Sequence, residues 1–95
     1  MKLEVEFLSL PLITRELGKK KISVAFPGGN LSQLLQHLSG SVKKFREMIL
    51  DGGDTLAPDV QLYLNGASRV SGDTISEAEL KDGDRITFMM LVAGG

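Results

Sequence analysis

Apolar and polar residues alternate in four segments of the chain, and a two-residue period is the pattern of a strand with one buried face. The first segment covers residues 3 to 8, in which Leu3, Val5 and Phe7 alternate with glutamates. The other three place apolar side chains at every second position in the same way. The alternation therefore predicts four strands, over residues 3–8, 22–26, 60–64 and 85–91.

The segments between these strands carry turn signals. Residues 12–21 contain Gly18 and a run of three lysines, which predicts a turn that joins the first two strands as an antiparallel hairpin. Asn65-Gly66 predicts a tight turn into a short strand over residues 67–70. Asp82-Gly83-Asp84 predicts another turn directly before the last strand, and Ile75 and Leu80 are expected to point inward between these turns.

A helix is predicted after the second strand. Asn30 is a preferred N-cap residue, and Gln33 three positions later completes a capping-box pattern. Leucines follow with helical spacing and form one apolar stripe, at positions 31, 34, 35 and 38. Gly40 is predicted to end this helix, and Ser41 to cap a second one that buries Val42, Phe45, Met48 and Ile49. Two separate helices and one bent helix both fit this pattern.

The predicted order is strand, strand, helix, strand, short strand, strand. This order is typical of an α+β fold, the β-grasp, in which one helical layer covers one face of a mixed sheet. The first and last strands are expected to lie side by side at the centre and to run parallel. Ninety-five residues form one domain, so we expect a single domain over residues 1–95.

The composition narrows the classes of function. The net charge of −1 gives no general attraction to nucleic acid or to a membrane, and no cysteine is present. His37 is the only histidine, so a catalytic triad or a metal site is not supported, and we expect His37 to be a boundary residue. The N-terminal apolar run contains Glu4 and Glu6, unlike a signal peptide, so we expect a cytoplasmic protein that binds neither nucleic acid nor membrane.

The final residues suggest a chemistry of their own. The last strand leads into a tail that ends in Gly94 and Gly95, and five extended residues from Leu91 reach at most about 17 Å. Glycine fits where any side chain would clash, so this tail is suited to enter the active site of a partner. The α-carboxylate of Gly95 is a poor acyl donor until it is activated, and ATP-dependent adenylation by another enzyme is the usual route. Once activated, it can accept sulfur or form an amide with a lysine.

Three motifs carry a resemblance to a known family. They are VQLYLNG at residues 60–66, LKDGDRITF at 80–88 and VAGG at 92–95, with the helix that follows PGGNLSQLLQHL placed at 27–38. In order and spacing they resemble the MoaD/ThiS family of sulfur carriers, which are ubiquitin-like proteins with the β-grasp fold. The similarity covers essentially the whole chain.

The resemblance implies a carrier without catalytic activity or bound cofactor. Gly95 would be adenylated by an E1-like enzyme that uses ATP, and then converted to a thiocarboxylate. Residues 91–95 would form a flexible tail, in which Val92, Ala93 and Gly94 thread into the partner. Phe88, Leu91 and Tyr63 would contact the activating enzyme or a sulfur-accepting synthase subunit.

One departure leaves the pathway open. Many MoaD-type sequences carry Pro-Pro where this chain has Met90 and Leu91, so we expect a more flexible tail that stays in strand pairing for longer. The favoured hypothesis is a small subunit of molybdopterin synthase. Carriers for the synthesis of thiazole or cysteine, or for tRNA thiolation, share this fold and ending and stay open. A ubiquitin-like modifier joined to lysines through Gly95 is the alternative, and a plain interaction domain with a frayed end is a third hypothesis.

Overall fold

The computed structural model describes residues 1–51, 56–66, 68–70, 75 and 77–91. These residues form a five-stranded sheet and three helices. In chain order the elements are β1 (Lys2–Leu8), α1 (Pro11–Leu17), β2 (Lys21–Ala25), α2 (Leu31–Ser41), α3 (Phe45–Ile49), β3 (Val60–Leu64), β4 (Ser68–Val70) and β5 (Arg85–Met90).

The sheet has the strand order β2-β1-β5-β3-β4. The first and last strands are neighbours and run parallel, with Phe7 in register with Phe88. The β1–β2, β3–β5 and β3–β4 pairs are antiparallel. The predicted arrangement of a mixed sheet with β1 beside β5 is therefore confirmed, and so is the α+β fold class.

The link between β1 and β2 is a helix and not the predicted hairpin turn. Pro11 lies at the start of α1, where its missing N–H is not needed and its fixed φ favours a helix. Ile13 of this helix is fully buried, and Gly18 ends it in the left-handed conformation. Pro11 therefore marks the first turn of this short helix.

The capping box of α2 is confirmed in atomic detail. The Asn30 side chain accepts a hydrogen bond from the Gln33 backbone N–H at 2.9 Å, and Gln33 Oε1 accepts one from the Asn30 backbone N–H at 2.9 Å. The four leucines of the predicted stripe are fully buried.

Gly40 does not end this helix, because α2 continues through Ser41 and is capped by Val42 in an extended conformation. Gly40 is not among the glycines with positive φ. Burial of the Val42 side chain accompanies the change of direction.

The second helix is separate, and Ser41 does not cap it. The residue before α3 is Lys44, which has φ +72° and makes no side-chain capping hydrogen bond. The Ser41 hydroxyl instead donates to the His37 carbonyl within α2. Phe45 and Ile49 of α3 are fully buried, as the sequence predicted.

Three phenylalanines join the helical layer to the two central strands. The Phe7 and Phe88 rings stack at a centroid distance of 5.6 Å with an interplanar angle of 14°. Phe45 contacts both rings edge-on, at 6.4 Å from Phe7 and 5.3 Å from Phe88. Because all three side chains are fully buried, this cluster holds β1, β5 and α3 in a fixed relation.

The Asn-Gly and Asp-Gly-Asp motifs are connected by hydrogen bonds at the start of β5. Asp84 is 8% exposed, and its carboxylate accepts from the Asn65 amide at 3.1 Å and from the Lys81 backbone N–H at 2.9 Å. The Asn65 side chain accepts from the Arg85 backbone N–H at 2.9 Å. These bonds fix the β3–β4 turn against the first residue of β5.

Replacement of Asp84 by Ala tests this connection. The substitution leaves two donors without their acceptor, so we expect it to lower the free energy of unfolding by about 2 kcal/mol. Urea denaturation measures the change. Glu16→Ala, which removes an exposed carboxylate from α1, is the control and should stay within about 0.5 kcal/mol of the wild type. Equal effects of the two substitutions would contradict a structural role for Asp84.

Candidate functional site

Strand β5 carries the chain to the predicted tail. The strand ends at Met90, one residue earlier than predicted, and Met90 lies opposite Val60 of β3. The next residue, Leu91, donates its backbone N–H to the Asp59 carbonyl at 2.7 Å. The pairing of this edge of β5 therefore continues through Leu91. The predicted tail residues Val92, Ala93, Gly94 and Gly95 lie outside the described residues.

The sheet face opposite the helices holds a groove of about 300 Å³. Residues of β1, β3 and β5 form it, together with the glycine of the β3–β4 turn: Glu6, Leu8, Tyr63, Gly66, Arg85, Thr87 and Met89. It runs along β5 towards the point where the chain leaves the sheet. This groove is the candidate docking surface, and we call it the sheet groove.

The middle of the sheet groove is polar. The register places Thr87 between Glu6 of β1 and Tyr63 of β3. The Thr87 hydroxyl donates to Glu6 Oε1 at 3.3 Å, and the Tyr63 hydroxyl donates to Gln61 Oε1 at 2.5 Å. Thr87 is 6% exposed although its side chain faces away from the helices. The predicted contact residue Tyr63 is half-buried, so part of its side chain remains available to a partner.

The end of the sheet groove near the chain exit is apolar. Leu8 of β1 is in register with Met89 of β5, and both side chains are half-buried. Leu91, two residues further along the chain, is 48% exposed. Isolated exposed apolar side chains are ordinary, but here Leu91 follows a pair of partly exposed apolar residues on two neighbouring strands. The chain therefore leaves the sheet beside an apolar surface.

Phe88 is not available for direct contact with a partner, which corrects the prediction that placed it on the docking surface. Its side chain is fully buried, because successive side chains of a strand point to opposite faces. The residues on either side, Thr87 and Met89, face the sheet groove instead. Phe88 supports this surface from below through its contacts with Phe7 and Phe45.

The sequence reasoning missed several residues of the sheet groove. Leu8, Met89 and Glu6 occupy the outward positions of strands that were recognised for their inward residues. Pairing Leu8 with Met89 requires the register of two strands about eighty residues apart, which the alternation alone does not give. Met90 packs against the core, whereas Met89 faces the sheet groove.

Gly66 lines the end of the sheet groove that is farthest from the chain exit. It has φ +74°, a conformation that favours glycine, and it follows Asn65 with φ +54°. A Cβ atom at Gly66 would lie 2.9 Å from Nη2 of Arg85. The turn conformation is the main requirement for this glycine, because the Arg85 guanidinium ends a flexible side chain that can move aside.

The described residues contain neither a cluster of metal ligands nor a membrane-spanning helix. No three His, Asp or Glu side chains in the part of the chain that the structure describes lie close enough to hold a metal ion. None of the three described helices has the length and apolarity required to cross a membrane. His37 is half-buried and meets the Phe26 ring edge-on at 5.6 Å, the boundary position that was predicted.

Comparison with known proteins gives one family and a consistent set of similar structures. The model of the ThiS family matches residues 11–95. No curated protein matched in the sequence search.

Several solved structures share the fold over nearly the whole chain. A putative molybdopterin converting factor, subunit 1, from Pyrococcus furiosus is 25% identical with a TM-score of 0.69, and the match covers 97% of this chain and 99% of that one. A chain of the BexX/CysO complex from Amycolatopsis orientalis is 24% identical with a TM-score of 0.70, covering 96% and 99%. Small archaeal modifier protein 1 from Methanosarcina acetivorans is 18% identical with a TM-score of 0.73, covering 99% and 96%.

Substitution of Leu91 by Pro tests the pairing at the chain exit. Proline has no N–H to donate to Asp59, so we expect Leu91→Pro to lower the free energy of unfolding by about 1 kcal/mol. Leu91→Ala keeps the N–H and is the matched control, with an expected loss of less than half that amount because the side chain is largely exposed. Thermal unfolding followed by circular dichroism compares the two. The pairing is absent in solution if both variants unfold at the same temperature.

Proposed function

Because the chain belongs to the ThiS family, we propose that it is a sulfur carrier that works through the carboxylate of Gly95. An E1-like enzyme adenylates this carboxylate with ATP, and a sulfur donor then converts it to a thiocarboxylate. The observation that carries the proposal is that the family match extends to residue 95 and so includes the Gly-Gly sequence. The protein itself supplies the acid group and the surfaces that partners recognise.

The chemistry requires two steps at the Gly95 carboxylate, the first at an oxygen and the second at the carbon. A Gly95 carboxylate oxygen attacks the α-phosphorus of ATP, pyrophosphate leaves, and an acyl-adenylate forms. A sulfide sulfur then attacks the acyl carbon, the C–S bond forms, and AMP leaves with the electrons of the C–O bond. Adenylation converts the carboxylate oxygen, a poor leaving group, into part of AMP, which is a good one. The activating enzyme provides the catalytic residues.

The body of the protein positions the reacting end. Four residues follow Leu91, and fully extended they span at most about 14 Å. A partner must therefore bind close to the chain exit for Gly95 to reach its active site. The apolar end of the sheet groove, with Leu8 and Met89, lies at that exit, and Tyr63 lies further along the same face.

We therefore propose that Leu91, Tyr63 and the apolar end of the sheet groove dock on the E1-like enzyme, while Val92, Ala93 and Gly94 enter its active site. A narrow channel accommodates residues with small side chains or none, which fits Ala93 and both glycines. The pairing of Leu91 with Asp59 supports this division between a body and a short tail.

The acceptor of the sulfur is proposed as a synthase subunit of the molybdopterin type, in the cytoplasm. The similarity to a putative molybdopterin converting factor, at 25% identity over nearly both chains, favours this pathway. The similar chain from Amycolatopsis orientalis belongs to the BexX/CysO complex, which supports a two-component system here.

Conjugation to proteins is the second candidate function. The similar protein from Methanosarcina acetivorans is named a modifier, and an activated Gly95 carboxylate can form an amide with a lysine amine as readily as it accepts sulfur. Both functions use the same adenylated intermediate.

The first experiment reconstitutes sulfur transfer. We expect incubation with the cognate E1-like enzyme, ATP and sulfide to replace one oxygen of Gly95 by sulfur, and intact mass spectrometry to detect the gain. The same spectrum verifies that the working chain terminates at Gly95. Gly94→Val is the matched control, because a β-branched side chain blocks a channel built for glycine, and it should abolish the exchange without a change in unfolding temperature. A normal unfolding transition together with no exchange in the wild type would contradict the proposal.

The second experiment looks for conjugates in cells that produce this chain. The last basic residue is Arg85, so trypsin leaves residues 86–95 attached to an acceptor lysine. We expect peptides that carry this ten-residue remnant only if the modifier function operates. Cells that produce the Gly94→Val variant provide the background, and remnants at the same level in both strains would count against conjugation.

A further inference from the structure

Lys44 has a backbone conformation that its residue type does not favour. It lies between α2 and α3, with φ +72° and ψ 0°, and it serves as the N-cap of α3. Glycine and asparagine adopt the left-handed region readily, whereas other side chains crowd the backbone there. N-cap positions also favour Ser, Thr, Asp, Asn and Gly, and Lys44 makes no capping bond with its side chain. The position therefore disfavours lysine for two independent reasons.

Nothing within the described protein compensates for this lysine. Its one ion pair joins Nζ to Glu47 Oε2 at 3.7 Å, and the two side chains are 41% and 71% exposed. Exposed pairs of this kind contribute little to stability. Residues that are held in an unfavourable conformation without a structural gain cluster at sites of function.

Lys44 lies on a groove of about 550 Å³ that is formed by residues 39–47. Lys43, Lys44 and Arg46 are all exposed there, and Glu47 is the one acidic residue among the nine. We call this surface the interhelix groove. It belongs to the helical layer, whereas the sheet groove lies on the opposite face of the sheet.

The dipole of α2 explains why a basic residue follows this helix, but it does not explain why position 44 is a lysine. The carbonyl end of α2 attracts cations, and α2 has no basic residue in its own last turn. Lys43, two residues after the helix, is the nearest basic residue in sequence to that end. Glycine at position 44 would relieve the backbone and leave Lys43 and Arg46 in place. The backbone conformation therefore gives no reason for a lysine at 44, which leaves its ammonium group as the feature that a partner can use.

The chemistry of the interhelix groove favours carboxylates of a protein over nucleic acid. Single-stranded nucleic acids need aromatic side chains on which bases stack. The one aromatic residue of this segment, Phe45, is fully buried beneath the groove. Ammonium and guanidinium groups around an open concavity instead fit several acidic side chains of an extended segment.

We propose that the interhelix groove binds an acidic segment of a partner protein through Lys44, Lys43 and Arg46. This surface faces away from the sheet groove, so a protein docked at the chain exit leaves it accessible. The proposal concerns binding alone and does not depend on the chemistry of Gly95.

The test titrates the full chain with a hexaglutamate peptide and follows backbone amides by NMR at low salt. We expect shifts confined to residues 39–47. Lys44→Gly should weaken binding about fivefold, the effect of losing one charge-assisted contact. The same substitution should raise the midpoint of thermal unfolding by about 2–4 °C, because it removes the strained side chain. Arg46→Gln should weaken binding to a similar degree without that gain in stability.

Lys20→Gly is the matched control, because it removes one lysine from the denser run at residues 19–21. It should leave the affinity within about twofold of the wild type and should not raise the unfolding temperature. Equal shifts at residues 19–21 and 39–47, or unchanged affinity in Lys44→Gly, would overturn the proposal. Tighter binding of a uridine hexanucleotide than of the peptide would overturn the proposal and indicate an RNA partner. Binding of inorganic phosphate as tightly as the peptide would also overturn it and indicate a simple anion site.

Discussion

The parallel pairing of β1 with β5 determines the rest of the structure. A hairpin cannot join two parallel strands, so the chain must cross over between them, and the helices of that crossover cover one face of the sheet. Phe7 and Phe88 stack in register at this pairing, and Phe45 of α3 closes over both rings. The cluster joins the two ends of the sequence through its least exposed side chains. It also fixes where the chain leaves the sheet, which is at the end of β5 beside the end of β1.

This pairing determines the candidate docking surface as well. Because Phe88 must point into the core, Thr87 and Met89 must point out, and the register with β1 places Glu6 and Leu8 beside them. Strand β5 thus places Phe88 in the core and Thr87 and Met89 on the sheet groove. The groove is polar at its centre and apolar at the end near the chain exit. Leu91 extends the pairing by one hydrogen bond beyond the strand. The proposed carrier function depends on a partner that binds beside this point of exit.

The sequence predicts the elements that local chemistry defines. Alternation located four strands, the Asn30–Gln33 pattern located the start of α2, and Asn65-Gly66 located the turn into β4. The errors fall where a local signal has two meanings. Gly18 fits the predicted turn but in the structure ends a helix that begins at Pro11, and Gly40 resembles a terminal glycine although α2 continues to Ser41 and is capped by Val42. Phe88 was assigned to the docking surface, although the alternation of the last strand places its side chain on the buried face. The composition of the sheet groove requires a register between distant strands, which no local pattern contains.

The central claim is that the body of the protein is complete at Leu91 and that the residues beyond it serve partners. Native-state hydrogen exchange on a chain truncated after Leu91 tests this claim most directly. The account predicts that the amides of β1 and β5 keep the protection they have in the full chain, within about 0.5 kcal/mol in opening free energy. A loss of protection along β5 in the truncated chain would show that the last four residues belong to the packed body, and would contradict the claim.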